Sequence, residues 1–204
     1  MSDLCSICNK RRAKRPCPGA NTQICALCCA SSREITIDCP RECAFLSDAR
    51  KHEALVKLTP ADVPHQDIAI DEDFVREQEW TVLWIGNALT RAMDEHRAID
   101  SEAREALAAV VNQHRGNEVR PENATVAALY DAVNTAIAQW KTKAPEDGGP
   151  GPLKDSELLR VLIFIQRLGL QYDNGRARGR RFYDFMMDHF PKHSEDAAAE
   201  GAQA

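Results

Sequence analysis

The chain is poor in features that would mark a membrane or secreted protein. Its longest unbroken apolar runs, CALCCA and ALAAVV, have six residues each, whereas a membrane-spanning helix needs about 20. The first ten residues, MSDLCSICNK, lack the apolar stretch of a signal peptide. We therefore expect a cytoplasmic protein with no membrane segment.

Signatures of the common enzyme classes are also missing. The sequence contains no phosphate-binding glycine loop, nucleophile elbow, His-Glu-x-x-His motif, kinase signature or dinucleotide-binding fingerprint. We expect a protein that is not an enzyme, and no small-molecule substrate is identified. An enzyme of unknown type, with its site between helices, stays as the third interpretation.

Cysteine is absent from the 161 residues that follow Cys43, and all 8 cysteines lie between Cys5 and Cys43. This distribution indicates a local device, because a disulfide framework would spread over the whole fold. In a reducing cytoplasm, clustered cysteines are more often metal ligands than disulfides.

Charge is distributed unevenly along the chain. The net charge is -5 overall, but it is +4 over residues 1–58 and -10 over residues 59–157. The protein as a whole is therefore not an electrostatic nucleic-acid binder. Any such role would have to come from a local basic segment.

Composition divides the chain into three regions. Residues 1–58 form a Cys-rich zinc-binding module, residues 59–190 form a helical domain, and residues 191–204 form a disordered tail without core residues. Apolar periodicity predicts about five helices in the second region. They run over about 71–98, from 101 to Gly116, over about 121–141, from Asp155 or Ser156 after the flexible loop 143–152, and over about 180–190. The predicted fold is mainly α, a small zinc-stabilised finger followed by an all-α bundle.

The spacing of the cysteines is the strongest chemical signal. Zinc takes four ligands at tetrahedral angles, and structural sites are commonly built from cysteine alone. Side chains of adjacent residues diverge, so Cys28 and Cys29 are suited to different ions. We predict two zinc ions per chain, and metal binding would supply the folding energy of a module too small for its own core. The predicted ligands are Cys5, Cys8, Cys25 and Cys28 for the first site and Cys17, Cys29, Cys39 and Cys43 for the second.

This arrangement resembles the bi-zinc cross-brace fingers of the HIT, MYND, B-box and RING-like group. The resemblance covers residues 5–43 and lies in the initial C-x2-C, the central C-x2-C and the closing cysteine pair before a short helix. It implies contacts with protein partners. Two departures are that Cys17 has no C-x2-C partner and that the nearest histidine is His52. The whole chain, including CALCCASSREITIDCP and NGRARGRRFYDF, also resembles bacterial proteins with a Cys-rich N-terminus, a likeness that implies no activity.

Other interpretations of the cysteines stay open. One zinc could be bound with spare thiols, or with His52 in place of a cysteine. An iron–sulfur cluster is also held by thiolates, and disulfides or a redox switch are further alternatives. A catalytic zinc is disfavoured, because such sites keep an open position and include histidine or carboxylate ligands.

Two basic segments are candidate contacts for nucleic acid or another anion. In the first, KRRAKR, cations on a finger loop could meet phosphates or could offset the charge of the zinc thiolates. In the second, NGRARGRRF, cations precede a helix, where the macrodipole disfavours them. That position indicates an anionic partner, and contact with the acidic middle of the same chain is the simpler interpretation. The residues are Lys10, Arg11, Arg12, Lys14 and Arg15 in the first segment and Arg176, Arg178, Arg180 and Arg181 in the second.

Our first functional hypothesis is a zinc-binding adaptor that contacts another protein. The second is a nucleic-acid-binding zinc finger protein that uses both basic segments.

Overall fold

A computed structural model describes residues 4–142 and 153–190. The predicted loop at 143–152 and the predicted tail at 191–204 lie outside these residues. The described part contains eight α-helices and one two-stranded sheet. The prediction of a mainly α protein with a small N-terminal region is confirmed.

The finger consists of a short hairpin and two short helices. Strands β1 (Arg15–Cys17) and β2 (Thr22–Ile24) pair antiparallel, with Cys17 opposite Thr22. Helix α1 (Ala26–Ser32) follows β2 directly, and α2 (Ala44–Arg50) ends the finger. Its core consists of cysteines together with Ile24 and Ile37, which is too little apolar surface to hold such a segment folded without further bonds.

The segment between the finger and the bundle is anchored along the bundle. A single 3-10 turn, Pro60–Asp62, follows Thr59, whose backbone N–H donates to Asp62 at 2.8 Å. Further along, the Arg167 guanidinium donates to the carbonyl oxygens of His65 at 2.8 Å and Ile68 at 3.0 Å. The segment that includes TPADVPHQ is therefore held against the bundle by hydrogen bonds.

Six helices form the bundle: α3 (Glu72–Glu77), α4 (Glu79–Glu95), α5 (Asp100–His114), α6 (Ala124–Thr142), α7 (Asp155–Gln171) and α8 (Arg181–His189). Helix α4 packs against α6, α5 packs against α6 and α7, and α8 packs against α4. The interior is aliphatic and aromatic, since Ile85, Leu107, Val133, Leu162 and Phe182 are fully buried.

The structure has one more bundle helix than predicted, because the helix expected over about 71–98 is interrupted at Gln78. The backbone of Gln78 has φ -99° and ψ 16°, and its side-chain oxygen accepts from the Thr81 hydroxyl at 3.1 Å. Asp71 starts the preceding helix by accepting the Phe74 N–H at 2.8 Å. Such local hydrogen bonds give the backbone an alternative to a continuous helix, and an apolar pattern does not report them.

A buried carboxylate caps helix α8. Asp100 is 1% exposed and accepts the backbone N–H groups of Phe182 at 2.9 Å and Tyr183 at 3.1 Å. Burial raises the pKa of Asp100 to about 7, although these two hydrogen bonds lower it. The folded protein therefore holds this proton more tightly than the unfolded chain does.

This raised pKa predicts a pH-dependent stability. The contribution of Asp100 to stability is complete below about pH 4, the ordinary pKa of an aspartate, and is lost as the pH rises through 7. Urea unfolding should show the free energy of unfolding of the wild-type protein falling relative to Asp100→Asn over this range. The fall should be about 1.4 kcal/mol for each unit by which the pKa is raised. The account would be contradicted if the free energy of unfolding of the wild-type protein, relative to that of Asp100→Asn, stayed constant or rose with pH.

Glu34 joins the finger to the bundle. It follows α1, has φ 52° and is 1% exposed. Its carboxylate accepts from the Arg50 guanidinium at 2.6 Å, the Asn174 amide at 3.0 Å and the Arg180 backbone N–H at 3.0 Å. Its own carbonyl oxygen accepts the Arg178 N–H at 2.7 Å. One residue of the finger thus holds the turn that leads into α8.

Further ion pairs continue this interface on both sides of Glu34. Arg50 contacts Asp184 of α8 at 3.1 Å and Glu53 at 3.0 Å. Arg180 contacts Asp38 of the finger at 3.2 Å. The finger is therefore oriented on the bundle mainly by charged groups.

Candidate metal centre

The first C-x2-C pair lies on a tight loop that the backbone closes. The Cys5 N–H donates to the Arg11 carbonyl oxygen at 2.8 Å, and the Asn9 N–H donates to the Cys5 carbonyl oxygen at 2.8 Å. Asn9 has φ 50°, a left-handed conformation that asparagine tolerates better than most residues. The loop turns both Cys5 and Cys8 toward the hairpin.

The second C-x2-C pair begins helix α1. Cys25 is the N-cap residue, and its Sγ accepts the Cys28 N–H at 3.4 Å. Cys25 directly follows strand β2, which ends at Ile24. The first loop is tied to the same strand, since the Ser6 N–H donates to the Gln23 carbonyl oxygen at 3.2 Å.

The four sulfur atoms of these two pairs meet. Those of Cys5, Cys8, Cys25 and Cys28 all lie within 4.8 Å of one another. A tetrahedral zinc with bonds of about 2.3 Å places its sulfur ligands about 3.8 Å apart, so the set fits one such ion. A multi-iron cluster would hold its thiolates around several metal atoms and further apart. The compact group therefore fits a zinc-binding finger.

The surroundings of two of these thiols favour the thiolate form that binds metal. Burial raises the pKa of Cys5, but the backbone N–H groups of Cys8, Cys25 and Ile7 lower it to about 6. The backbone N–H groups of Lys10 and Arg11 lower the pKa of Cys8. Metal binding would exploit thiolates that the loop already stabilises.

Cys28 differs from these two. Its hydrogen bond with Cys25, together with burial, raises the pKa of Cys28 to about 12. In the metal-free group it therefore holds its proton, which an incoming metal ion would displace.

Cys29 does not belong to this group, although it is adjacent to Cys28. Successive residues of a helix point about 100° apart, so Cys29 faces another side of α1. Its sulfur lies 3.4 Å from Nη1 of Arg15 and 3.8 Å from Nη2 of Arg33. Helix α1, which the cysteine spacing did not predict, is what separates the adjacent cysteines.

The remaining predicted ligands are Cys17, Cys39 and Cys43. Cys17 ends β1, Cys43 is the residue before α2, and Cys17 and Cys39 both pack against the small core that contains Cys29. Burial raises the pKa of Cys39, the Glu34 N–H lowers it, and the nearby Glu34, Cys43 and Cys17 raise it further. Within residues 4–142 and 153–190, however, only the first four cysteines gather into a compact ligand group.

His52 is not part of the compact group. It lies just past α2, where its N–H donates to the Ala49 carbonyl oxygen at 3.0 Å, and it is exposed. The compact group is complete with four cysteines and needs no histidine.

The first basic segment is largely exposed. Lys10, Arg11, Arg12 and Lys14 face solvent. Arg15 instead turns inward, with its guanidinium 4.6 Å from the centre of the Phe45 ring and its Nη1 directed at Cys29.

The second basic segment is used inside the molecule. Arg176 donates to the Arg33 carbonyl oxygen at 2.7 Å, and Arg181 donates to the carbonyl oxygens of Ala54 at 2.7 Å and Glu53 at 2.8 Å. Together with the Arg180–Asp38 pair, these contacts all reach residues 1–58. The expected intramolecular contact exists. It reaches mainly the finger and its edge, and Arg180 also donates to the Ala98 carbonyl oxygen at 3.2 Å, in the acidic middle of the chain where we expected the contact.

Of the four arginines in the second basic segment, Arg178 is the one that is exposed.

Known proteins add no further constraint. No family model, curated protein or solved structure matches the chain. Among the helices of the described residues, none combines the length and the apolar composition of a membrane-spanning segment.

Proposed function

We propose that the protein is a zinc-binding adaptor without catalytic activity of its own. The observation that carries the proposal is the compact group of Cys5, Cys8, Cys25 and Cys28. Four thiolates complete a tetrahedral zinc and leave no position for water or substrate, as in structural zinc sites. Such an ion would hold the finger in shape for binding.

We further propose a second zinc bound by Cys17, Cys29, Cys39 and Cys43. Support comes from the proximity of Cys39 to Cys17 and Cys43, whose charges act on it, and from the position of Cys29 outside the compact group. Metal binding would draw these four side chains together, and Arg15 and Arg33 beside Cys29 would offset part of the thiolate charge. All eight cysteines are unpaired, as ligands in a reducing cytoplasm would be.

The adaptor role is supported by apolar side chains that the finger exposes. Leu4, Ile7, Leu27 and Ile35 are each 44–55% exposed, whereas Val119 is the one large aliphatic residue of the described bundle that is exposed to this degree or more. Exposed apolar residues concentrated on one small module are candidates for a protein contact site. The interior of the bundle is mostly aliphatic, which favours a non-catalytic role over an enzyme.

Nucleic-acid binding is the second candidate, and the exposed Lys10, Arg11, Arg12 and Lys14 favour it. The second basic segment adds little, because most of its arginines contact the finger. If this alternative holds, affinity for RNA or DNA should fall steeply as salt rises.

Native mass spectrometry with elemental analysis tests the metal content. Protein purified without added metal should carry two zinc ions per chain with all eight thiols protected from alkylation. One zinc with four protected thiols would restrict the proposal to the compact site. Iron, or no metal with eight reactive thiols, would overturn it.

A further inference from the structure

The two C-x2-C pairs present apolar residues at the same position. Ile7 precedes Cys8 and Leu27 precedes Cys28, and these side chains are 44% and 55% exposed. The sulfur atoms of Cys8 and Cys28 both belong to the compact group. Ile7 and Leu27 therefore flank the same metal site on the outside of the finger.

Two further exposed apolar residues lie close in sequence to these two. On α1, Leu27 and Ala30 are exposed while Cys28 and Cys29 are buried, so the helix shows solvent an apolar face. Leu4, next to Cys5, is 46% exposed. Together, Leu4, Ile7, Leu27 and Ala30 are called the knuckle surface below.

The exposed charged side chains within residues 4–33 are all cations. They are Lys10, Arg11, Arg12 and Lys14, and this range contains no Asp or Glu. Leu4 pairs with Arg12 in a β-bridge, which places that cation beside the surface. The N–H groups of Lys10 and Arg11 face Cys8, while their side chains are exposed. An apolar surface with a basic rim complements an acidic segment that carries apolar side chains.

The same residues are poorly suited to nucleic acid. Proteins that bind single strands stack bases on aromatic side chains, and residues 4–33 contain no Phe, Tyr or Trp. Phosphate contacts would use the cations but would leave Ile7 and Leu27 without a role. A peptide would contact both the apolar residues and the cations. Its buried apolar side chains would supply most of the affinity, and attraction between opposite charges would speed association.

We infer that the knuckle surface is a docking site for a short acidic segment, bearing apolar side chains, of a partner protein. This inference rests on the proposed adaptor function and names the chemistry of its partner. Apolar side chains of the segment contact Ile7 and Leu27, and its carboxylates face Lys10, Arg11 and Arg12.

A selection experiment on the full-length, zinc-loaded protein tests this inference. A phage library of random short peptides is selected on the wild-type protein and depleted on the double variant Ile7→Ser, Leu27→Ser. Enriched peptides should carry net negative charge and several apolar residues. In fluorescence anisotropy, the best peptide should bind at least about tenfold more weakly to the double variant and to Lys10→Glu, Arg11→Glu. Val119→Ser, at a bundle residue that is 73% exposed, is the matched control and should bind like wild type.

Three outcomes would overturn the inference: no peptide enriched over the double variant, enriched peptides that are basic or lack apolar residues, or binding that ignores the substitutions at Ile7 and Leu27. A single-stranded oligouridylate that binds through Lys10 and Arg11 regardless of Ile7 and Leu27 would assign the surface to nucleic acid instead. Zinc content is measured for every variant. Full zinc content without selective peptide binding would refute the docking site while leaving the metal proposal intact.

Discussion

Cys28→Ser should lower the zinc affinity of the compact site at least about 100-fold, because loss of an outer-shell partner alone typically costs 10–100-fold. The finger should unfold with it, since its own core contains little besides cysteine, Ile24 and Ile37. Zinc titration against a competing chelator measures the affinity. Trypsin cleavage after Lys10 to Lys14 measures the loss of finger structure.

Cys29→Ser is the matched control, one residue away on the same helix. It leaves the compact group unchanged and should retain the first zinc. The Lys10–Lys14 segment should stay as resistant to trypsin as in the wild-type protein. If the second zinc exists, this variant should lose that ion alone. Equal zinc affinity and equal cleavage in Cys28→Ser and wild type would refute the compact metal site. Loss of the first zinc from Cys29→Ser would show that the ligands are paired differently.

Glu34→Ala should destabilise the folded protein by about 3 kcal/mol, the lower end of the cost of breaking a buried ion pair. The substitution removes the acceptor of Arg50, Asn174 and the Arg180 N–H at once. The cost is at the lower end because Arg50 keeps Asp184 and Glu53 as partners. Urea unfolding measures the change.

Two further variants isolate the role of the Glu34 charge. Glu42→Ala removes an exposed glutamate of the same finger and should change stability by no more than about 0.5 kcal/mol. Glu34→Gln keeps the shape of the side chain and should lie between the two. Faster trypsin cleavage at Arg176 and Arg178 in Glu34→Ala would show that the turn is released from the finger. If Glu34→Ala were as stable as Glu42→Ala, the ion pairs at this interface would not hold the finger in place.

The sequence was sufficient to predict the helical bundle, because each long helix buries one continuous face. In α6, for example, Val126, Leu129, Val133, Ile137 and Trp140 follow the helical repeat and are all buried. Local interruptions were less predictable. The break at Gln78 depends on hydrogen bonds of single side chains, which leave the apolar pattern unchanged.

The first metal group was predictable because C-x2-C spacing itself constrains geometry. Each pair places two thiols on one tight turn or helix end, so two pairs can meet at one ion. Cys17 has no such neighbour, and the wider Cys39-x3-Cys43 spacing constrains the side chains less. The second ligand set, which includes those residues, is predicted from the sequence, but the structure does not bring its four sulfur atoms together. It therefore stays a proposal.

The partner of the second basic segment depended on long-range folding. Glu34 and Arg180 are 146 residues apart, and no local pattern links them. The unfavourable run of arginines before α8 did signal an anionic partner. The sequence around Glu34, by contrast, did not indicate that this glutamate would be buried.

The finger and the bundle have two separate cores of different chemistry. The bundle core is a large apolar cluster, whereas the finger core is small and rich in sulfur. The heat-capacity change of unfolding follows exposed apolar area, so almost all of it belongs to the bundle. Temperature, both on heating and on cooling, therefore acts chiefly on the bundle, while the supply of metal ions acts chiefly on the finger.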